Sequence, residues 1–227
     1  MKKLIFALSF GLLFVTACQD EEETSVAAKN YYQAYELEYN AAENETIARA
    51  FFKKKDPQGE FLELTNGAEI RVNGTILSRD TESSAAYYTS FNGLVDSTTY
   101  EYADKTGNVY TNEFYLSELD PIGFTPGTGP FNMFSSYDVE WDGPPVRENE
   151  AVYFQIGYEG GTVKTIKVDE VGTDFIDLED KILMEVGRGD AQMVIYRVIQ
   201  HSLEDTNEAG GRIQLLYSSG LVPVTIE

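Results

Sequence analysis

Cysteine, histidine and basic residues are scarce in this chain. Its 227 residues include one Cys and one His, and 17 Lys and Arg stand against 38 Asp and Glu, giving a formal net charge of -21. So few thiols and imidazoles exclude a disulfide framework and a Cys/His zinc site, and we predict no bound metal. Nucleic acid is excluded as a partner because phosphate binding needs clustered Lys and Arg.

Sequence motifs of catalysis are missing as well. There is no Gly-x-Ser-x-Gly elbow, no Gly-x-x-x-x-Gly-Lys phosphate loop and no Gly-x-Gly-x-x-Gly fingerprint. His201 therefore lacks a recognisable catalytic partner and is interpreted as structural. Acidic pairs, such as Glu170 with Asp174 or Glu179 with Asp180, keep a carboxylate-based hydrolase open as an alternative. The leading prediction is that the chain is not an enzyme and uses no cofactor.

The amino terminus carries a short positive region followed by an apolar run. Lys2 and Lys3 precede Leu4–Val15, a stretch of 12 residues in which only Ser9 is polar. A membrane-spanning helix needs about 20 apolar residues, so this run is too short to cross a bilayer. It predicts a secretory signal peptide that is removed from the mature protein.

The residues that close this run form a motif around the only cysteine. Val15-Thr16-Ala17-Cys18 resembles the lipobox of bacterial lipoproteins. The resemblance implies that residues 1–17 are a lipoprotein signal peptide and that Cys18 is lipidated. An anchor of several acyl chains would hold the protein firmly at a membrane.

An acidic run follows the cysteine directly. Gln19-Asp20-Glu21-Glu22-Glu23 resembles the export signal of Bacteroidota surface lipoproteins. That resemblance implies a lipid-anchored position in the outer membrane at the cell surface, with a periplasm-facing position as the alternative. A solvated spacer is the other interpretation of the run. Residues 18–30 are predicted to be the lipidated cysteine and its acidic tether.

The rest of the chain has the pattern of β-structure. It contains 15 Tyr, 13 Phe and 19 Gly, a mixture typical of strands joined by tight turns. Residues 152–158 alternate apolar and polar, and Asn73-Gly74 separates two alternating runs, which predicts a hairpin. Residues 25–42 fit a helix or a strand, and we favour a strand that ends near Tyr39. Phe61 to Leu64 predict a further short strand.

A segment rich in Pro and Gly divides the mature chain. We predict a linker at residues 121–135 between two β-sandwich domains, at residues 31–120 and 136–227. Residues 60–64 and 174–178 share an acidic/apolar pattern 114 residues apart, a spacing that agrees with about 100 residues per sandwich. The predicted fold class is all-β, with two tandem Ig-like or fibronectin-III-like sandwiches, as in Bacteroidota surface lipoproteins with tandem Ig-like domains. One larger sandwich with residues 121–135 as a crossing loop is the alternative.

Aromatic side chains are the remaining candidates for a binding site. Sugar rings stack on flat aromatic faces, so exposed Tyr and Phe in turns or near the linker are candidate ligand-binding residues: Tyr87, Tyr88, Phe91, Phe131, Phe134 and Tyr137. Rings that face the core are the competing interpretation. The predicted function is a lipid-anchored surface binding or adhesion module, with glycan the first ligand to test and an envelope protein the other candidate partner. A structural protein of the outer envelope and a carboxylate-based hydrolase are the alternatives.

Overall fold

A computed structural model describes residues 31–65, 67–79, 86–158 and 160–227. The predicted signal peptide, Cys18 and the acidic tether lie outside these ranges. The described ranges are built mainly of strands. The first eight are β1 (Tyr31–Asn40), β2 (Glu45–Lys54), β3 (Glu69–Val72), β4 (Thr75–Ile76), β5 (Ser78–Arg79), β6 (Tyr87–Asn92), β7 (Ser97–Ala103) and β8 (Val109–Tyr115).

The second half continues the β pattern and adds short helical turns. A 3₁₀ turn spans Leu116–Glu118. The strands are β9 (Gly123–Phe124), β10 (Tyr137–Asp142), β11 (Glu150–Gly157), β12 (Val163–Val168), β13 (Phe175–Leu178), β14 (Gly189–Ser202), β15 (Gly211–Ser218) and β16 (Val222–Ile226), and helix α1 (Asp180–Val186) precedes β14. No helix within the described ranges is long and apolar enough to span a membrane.

One long sheet runs through the whole described molecule. Its strand order is β12-β11-β14-β15-β1-β2-β6-β5, and β16 also pairs with β14. Strands β1 and β15 pair in parallel, which joins the first described strand to the end of the chain. Two smaller sheets, of order β4-β3-β7-β8 and β13-β10-β9, complete the architecture.

Strand β14 connects the two ends of this sheet. Its odd-numbered side chains point to the face that the small sheets cover, because side chains alternate along a strand. Met193 and Ile195 lie in one hydrophobic core, whereas Ile199 packs against the other. Arg197 stands between them and is fully buried. Strands β15 and β16 follow each other along one edge of β14, while β11 occupies its other edge.

The first core is formed by apolar side chains of β1, β2 and β15 on one side and of β3, β7 and β8 on the other. Tyr35 stacks on Tyr100 with ring centroids 4.6 Å apart, and Tyr100 Oη donates to the carbonyl of Glu36 at 2.8 Å. Ile213 and Leu215 of β15 are completely buried in this core. Strand β15 therefore packs in the same core as β1, the first described strand.

The second core lies between strands β11, β14 and β16 and the cover formed by β9, β10, β13 and α1. Phe154, Ile156 and Ile176 are fully buried there. The indole N–H of Trp141 donates to the carbonyl of Pro144 at 3.1 Å, so the one tryptophan is fixed at the edge of this core. Within the described ranges the chain thus has one long sheet with these two cores on one face, and a smaller buried cluster of Val194, Tyr196, Val198 and Leu216 lies on the other face.

Several predictions from the sequence agree with this structure and one does not. The mostly β character is confirmed, as is a strand that ends near Tyr39, and Asn73-Gly74 joins the paired strands β3 and β4. The short strand predicted at Phe61 is wrong, because only an isolated bridge links Phe61 to Lys53, whereas residues 175–178 form strand β13. The proposed repeat therefore has no common structure.

The two Ig-like domains and their linker stay predictions. The predicted linker contains the paired strand β9 and the buried side chains of Ile122 and Phe131. Ile213 and Leu215, which the predicted boundary places in the second domain, pack in the first core. The first core therefore combines segments from both predicted domains, whereas the second core is formed by residues 122–226 alone.

Candidate functional site

The first predicted aromatic group, on β6, does not form a stacking platform. Tyr87 is buried in the first core, and its hydroxyl accepts a hydrogen bond from the N–H of Leu64 at 2.7 Å. Phe91 packs partly buried against the same core, while Tyr88 points to the other face and is 44% exposed. Strand alternation separates the rings, so Tyr88 alone of the three presents an exposed face.

The second predicted group lies around the turn before β10 and packs with the second core. Phe131 is buried there, and the Tyr137 ring meets it edge-on with centroids 5.1 Å apart. The N–H of Asn132 donates to Tyr137 Oη at 2.7 Å, which fixes the turn. Phe134 is 67% exposed. Tyr87 and Phe131 are thus core residues rather than binding residues, and the two groups belong to different cores.

A cleft of about 330 Å³ opens near the middle of the described molecule, beside the second core and next to the β1–β2 turn. We call it the waist cleft. It is lined by Ala41, Met193, Ser219, Val222 and the segment Ile122, Gly123, Phe124, Thr125, Pro126, Gly127 and Thr128. None of these side chains is charged, in a chain with a formal net charge of -21. Apart from the segment after residue 121, this lining was not predicted.

One wall of the waist cleft depends on a close approach of two turns. Gly220, at φ +74° between β15 and β16, lies so close to the β1–β2 turn that an added Cβ would be 2.2 Å from the Cβ of Ala42. Only glycine fits both the space and the left-handed backbone. Asn40 Oδ1 accepts the N–H groups of Ala42 and Glu43, which holds the turn against Gly220.

The other wall is the Pro/Gly-rich segment. Strand β9 pairs Phe124 with Trp141, and the Phe124 ring meets Phe154 edge-on at 6.0 Å. A turn then brings the hydroxyl of Thr128 to the carbonyl of Thr125 at 2.6 Å. The segment that the composition marks as a linker is thus a paired and packed wall of the cleft.

The chemistry of the waist cleft is neutral and amphipathic. Its surface combines an aromatic ring, aliphatic side chains, and the hydroxyls of Thr125, Thr128 and Ser219. Small-molecule sites have this composition and prefer interfaces between packed units, and about 330 Å³ is at the lower end of their volumes. The arrangement is able to hold a small neutral polar ligand.

A network of charged side chains around Arg197 lies between the two cores. Arg197 donates to Glu150 Oε2 at 2.8 Å and also to the carbonyl of Pro144. Arg147 donates to the same carboxylate at 2.8 Å, and its other nitrogens reach the carbonyl of Glu118 and the carboxylate of Asp120. Both oxygens of Glu150 are therefore engaged by two guanidinium groups.

The charges and hydrogen bonds around Glu150 indicate that it has a structural role and not a catalytic one. Burial alone would raise the pKa of its carboxyl, but hydrogen bonds from Arg147 and the charges of Arg197 and Arg147 hold that pKa below its ordinary value. A general acid needs a raised pKa. Nearby, His201 Nε2 lies 2.9 Å from Glu118 Oε2.

A pair of carboxylates, Glu36 and Glu38 of β1, lies on the face of the long sheet that the small sheets leave uncovered. Burial raises the pKa of Glu36, although Arg49 opposes the shift. Arg49 contacts Glu36 and donates to Glu38 Oε2 at 2.8 Å, so one guanidinium binds both carboxylates. The acidic pairs named from the sequence lie elsewhere: Glu170 and Asp174 are exposed, and Glu179 pairs with Lys181 at 2.6 Å.

Potential metal ligands are scattered over the part of the chain that the structure describes. No three His, Cys, Asp or Glu side chains are grouped there so that they could hold a metal ion.

Comparisons with known proteins give only distant similarity. No family model and no curated protein matches the chain. It is similar at 15% identity to a tetra-tandem repeat in the extending region of a large adhesion protein, with 86% of this chain and 49% of that chain covered and a TM-score of 0.28. It is similar at 14% identity to a structure from a 1.5-MDa bacterial ice-binding adhesin, with 86% of this chain and 66% of that chain covered and a TM-score of 0.25. At these scores neither likeness carries an argument about this chain.

Proposed function

We propose that this protein is a lipid-anchored binding or adhesion module of the outer membrane surface, and that the waist cleft binds a neutral glycan unit. The anchor rests on the lipobox at Cys18 and the surface position on the acidic run after it. The observation that carries the binding function is the waist cleft, whose lining has no charged side chain although the chain has 38 acidic residues.

The composition of the cleft favours a sugar over other small ligands. The apolar CH face of a pyranose suits the partly buried Phe124 ring. Its hydroxyl groups suit Thr125, Thr128 and Ser219, whose hydroxyls each donate to a backbone carbonyl and keep an oxygen that accepts a hydrogen bond. The surrounding negative charge repels anionic polysaccharides and nucleic acid. A neutral sugar fits both the amphipathic lining of the cleft and the negative charge around it.

The proposal is for binding without turnover. Glycoside hydrolysis uses two carboxyl groups across the scissile bond, one of them with a raised pKa. The cleft lining contributes no carboxyl group, and both carboxylates of the Glu36–Glu38 pair are bound by Arg49. A ligand in the waist cleft therefore meets groups that hold it and none that cleave it.

Filling the cleft should abolish glycan binding. An added Cβ at Gly123 meets no atom within 4 Å, so Gly123→Leu should fold normally while its side chain occupies the cleft. We expect the wild-type protein to bind a neutral oligosaccharide with micromolar to millimolar affinity, about -8 to -4 kcal/mol, and the variant to lose at least about tenfold, or 1.4 kcal/mol. Isothermal titration calorimetry measures both.

The matched variant is Phe134→Ala, which removes the exposed ring near β10 and leaves the cleft intact. Unchanged binding in Phe134→Ala would assign the ligand to the cleft. Binding lost in Phe134→Ala and kept in Gly123→Leu would assign it to the predicted aromatic turn. Shortened oligosaccharides after overnight incubation would replace the binding function by a hydrolase. Specific capture of an envelope protein without glycan binding would favour the structural class.

The anchor has its own test. Replacing Cys18 with alanine removes the thiol that would receive the lipid, so the protein should move from the membrane fraction to the soluble fraction. Detergent partitioning and mass spectrometry of the mature protein measure this. A wild-type protein without acyl mass at Cys18 would contradict the anchor. Neutralising Asp20 to Glu23 serves as the comparison, because it should leave the acyl mass in place.

A further inference from the structure

Cations and aromatic rings meet at one end of the long sheet. Lys53 Nζ lies 4.9 Å from the centroid of the Phe61 ring, and the Phe51 and Phe61 rings are 6.0 Å apart. Phe61 is 52% exposed. Phe51 and Lys53 alternate with the core residue Phe52, so they point to the face that the small sheets leave uncovered. We call Phe51, Lys53, Lys54, Lys55, Phe61 and Arg212 the basic patch.

The charge of this patch is opposite to that of the protein. Lys53 and Arg212 lie on the same face across β1, whereas Lys54 alternates to the other face and Lys55 follows the end of β2. Burial and then the charge of Arg212 lower the pKa of Lys53, while the charge of Asp56 opposes the shift, so Lys53 has both a cation and a carboxylate near it. A chain with 17 basic and 38 acidic residues thus concentrates four cations here.

The acidic residues near this end are placed differently. Asp56 and Glu60 lie in the turn that joins Lys55 to Phe61, and Asp56 Oδ1 accepts the N–H of Gln58. The acidic loop after β14 packs on the opposite face of the sheet, where Asp205 accepts the N–H of Thr111 at 2.8 Å. On the uncovered face of this end, Lys53 and Arg212 therefore have Asp56 as an acidic neighbour, and the exposed Lys54 and Lys55 add positive charge at the end of β2.

The basic patch lies where the chain enters the fold. Tyr31, the first described residue, pairs with Lys54. It follows Cys18 by 13 residues. At roughly 3.3–3.6 Å per residue, that segment reaches at most about 45 Å, so a lipid at Cys18 keeps this end near the bilayer.

We propose that the basic patch contacts the anionic lipid headgroups of the membrane that holds the anchor. This inference rests on the proposed lipid anchor. Lysines beside an anionic surface are attracted to it, and their aliphatic stems together with aromatic rings suit the headgroup region. The acidic remainder is repelled by the same surface. The patch therefore orients the protein with β12, α1 and the carboxyl terminus away from the membrane.

The single cysteine allows a test that does not depend on natural lipidation. Residues 18–227 keep every described element and are coupled through Cys18 to a maleimide lipid in vesicles of phosphatidylglycerol and phosphatidylcholine with brominated acyl chains. Phe61→Trp reports on the patch, and Phe134→Trp reports on the far end. Trp141 is buried and adds the same background to both. We expect bromolipid quenching of Phe61→Trp to exceed that of Phe134→Trp severalfold.

Charge variants complete the test. In the Phe61→Trp protein, replacing Lys53, Lys54 and Lys55 with glutamine should reduce quenching to the level of Phe134→Trp. The matched control replaces Lys164, Lys167 and Lys181, which removes the same charge elsewhere and should leave quenching unchanged. Equal quenching of the two reporters, or equal effects of the two triple variants, would overturn the inference. Failure of the natural anchor appears separately, as absent acyl mass on protein from cells.

Discussion

Replacing Glu150 with glutamine should lower the free energy of unfolding by about 3–5 kcal/mol, because it leaves the fully buried Arg197 without its counter-charge. The carboxylate also receives hydrogen bonds from the backbone and side chain of Arg147, and a neutral amide at this position could not accept all of them as the anion does. Denaturant unfolding followed by the fluorescence of Trp141 measures the loss.

Glu36→Gln is the matched comparison for this variant. Glu36 is also paired with an arginine, but Arg49 retains Glu38 when the first carboxylate is neutralised. We expect a change of less than about 1 kcal/mol, as for partly exposed ion pairs. Equal losses in the two variants would contradict the special role assigned to the buried pair.

The two carboxylates should also respond to acid in opposite directions. The pKa of Glu150 is held below its ordinary value of 4.5, so its contribution to stability is complete above that value and is lost as the pH falls through the folded pKa. The difference between wild type and Glu150→Gln should therefore shrink in acid. The pKa of Glu36 is raised by burial, so protonation of Glu36 favours the folded state, and that contribution to stability is lost as the pH rises through the folded pKa.

Separating the chain within residues 121–135 should leave the first part unfolded. A protein of residues 31–120 lacks β15, the parallel partner of β1, and with it the buried side chains of Ile213 and Leu215. Each lost core side chain of this size costs about 2–5 kcal/mol. Because a whole domain has only about 5–15 kcal/mol of stability, no cooperative transition should remain. Circular dichroism during heating measures this.

The matched control protein restores the missing strand. Residues 31–120 joined through a flexible linker to residues 203–218 should regain a cooperative transition, since the parallel ladder and the first core are then complete. Equally stable unfolding of residues 31–120 alone would show instead that the predicted boundary separates two independent domains.

Local patterns in the sequence were enough to predict strands but not their partners. Residues 152–158 alternate with period two and form β11, and Asn73-Gly74 forms a hairpin with its own neighbours in the chain. By contrast, β1 pairs with β15, whose residues are about 180 positions away, and no local signal carries such a pairing. A division of the chain at its most Pro-rich segment could not include that contact.

The site was harder to predict than the fold for a related reason. The waist cleft combines Ala41, residues 122–128, Met193 and Ser219, which come from four separate parts of the chain. A sequence shows where aromatic residues stand but not which of them are buried. Burial makes Tyr87 and Phe131 core residues. Arg197 did carry a signal: an arginine inside the apolar run of β14 needs a counter-charge, and Glu150 supplies it.

The parallel pairing of β1 with β15 also determines how the protein would carry a load. Tyr31 begins β1 on the side of the sheet where β14 ends, and Glu227 follows Ile226, which pairs with the first residue of β14. The length of β14, 14 residues at roughly 3.3 Å each, therefore separates the two residues by about 45 Å. Tension applied between Tyr31 and the waist cleft pulls on β1 along its own axis. The hydrogen bonds of β1 to both β2 and β15 are then sheared together instead of opening one after another. Pulling from Tyr31 should therefore meet high resistance before the first core opens.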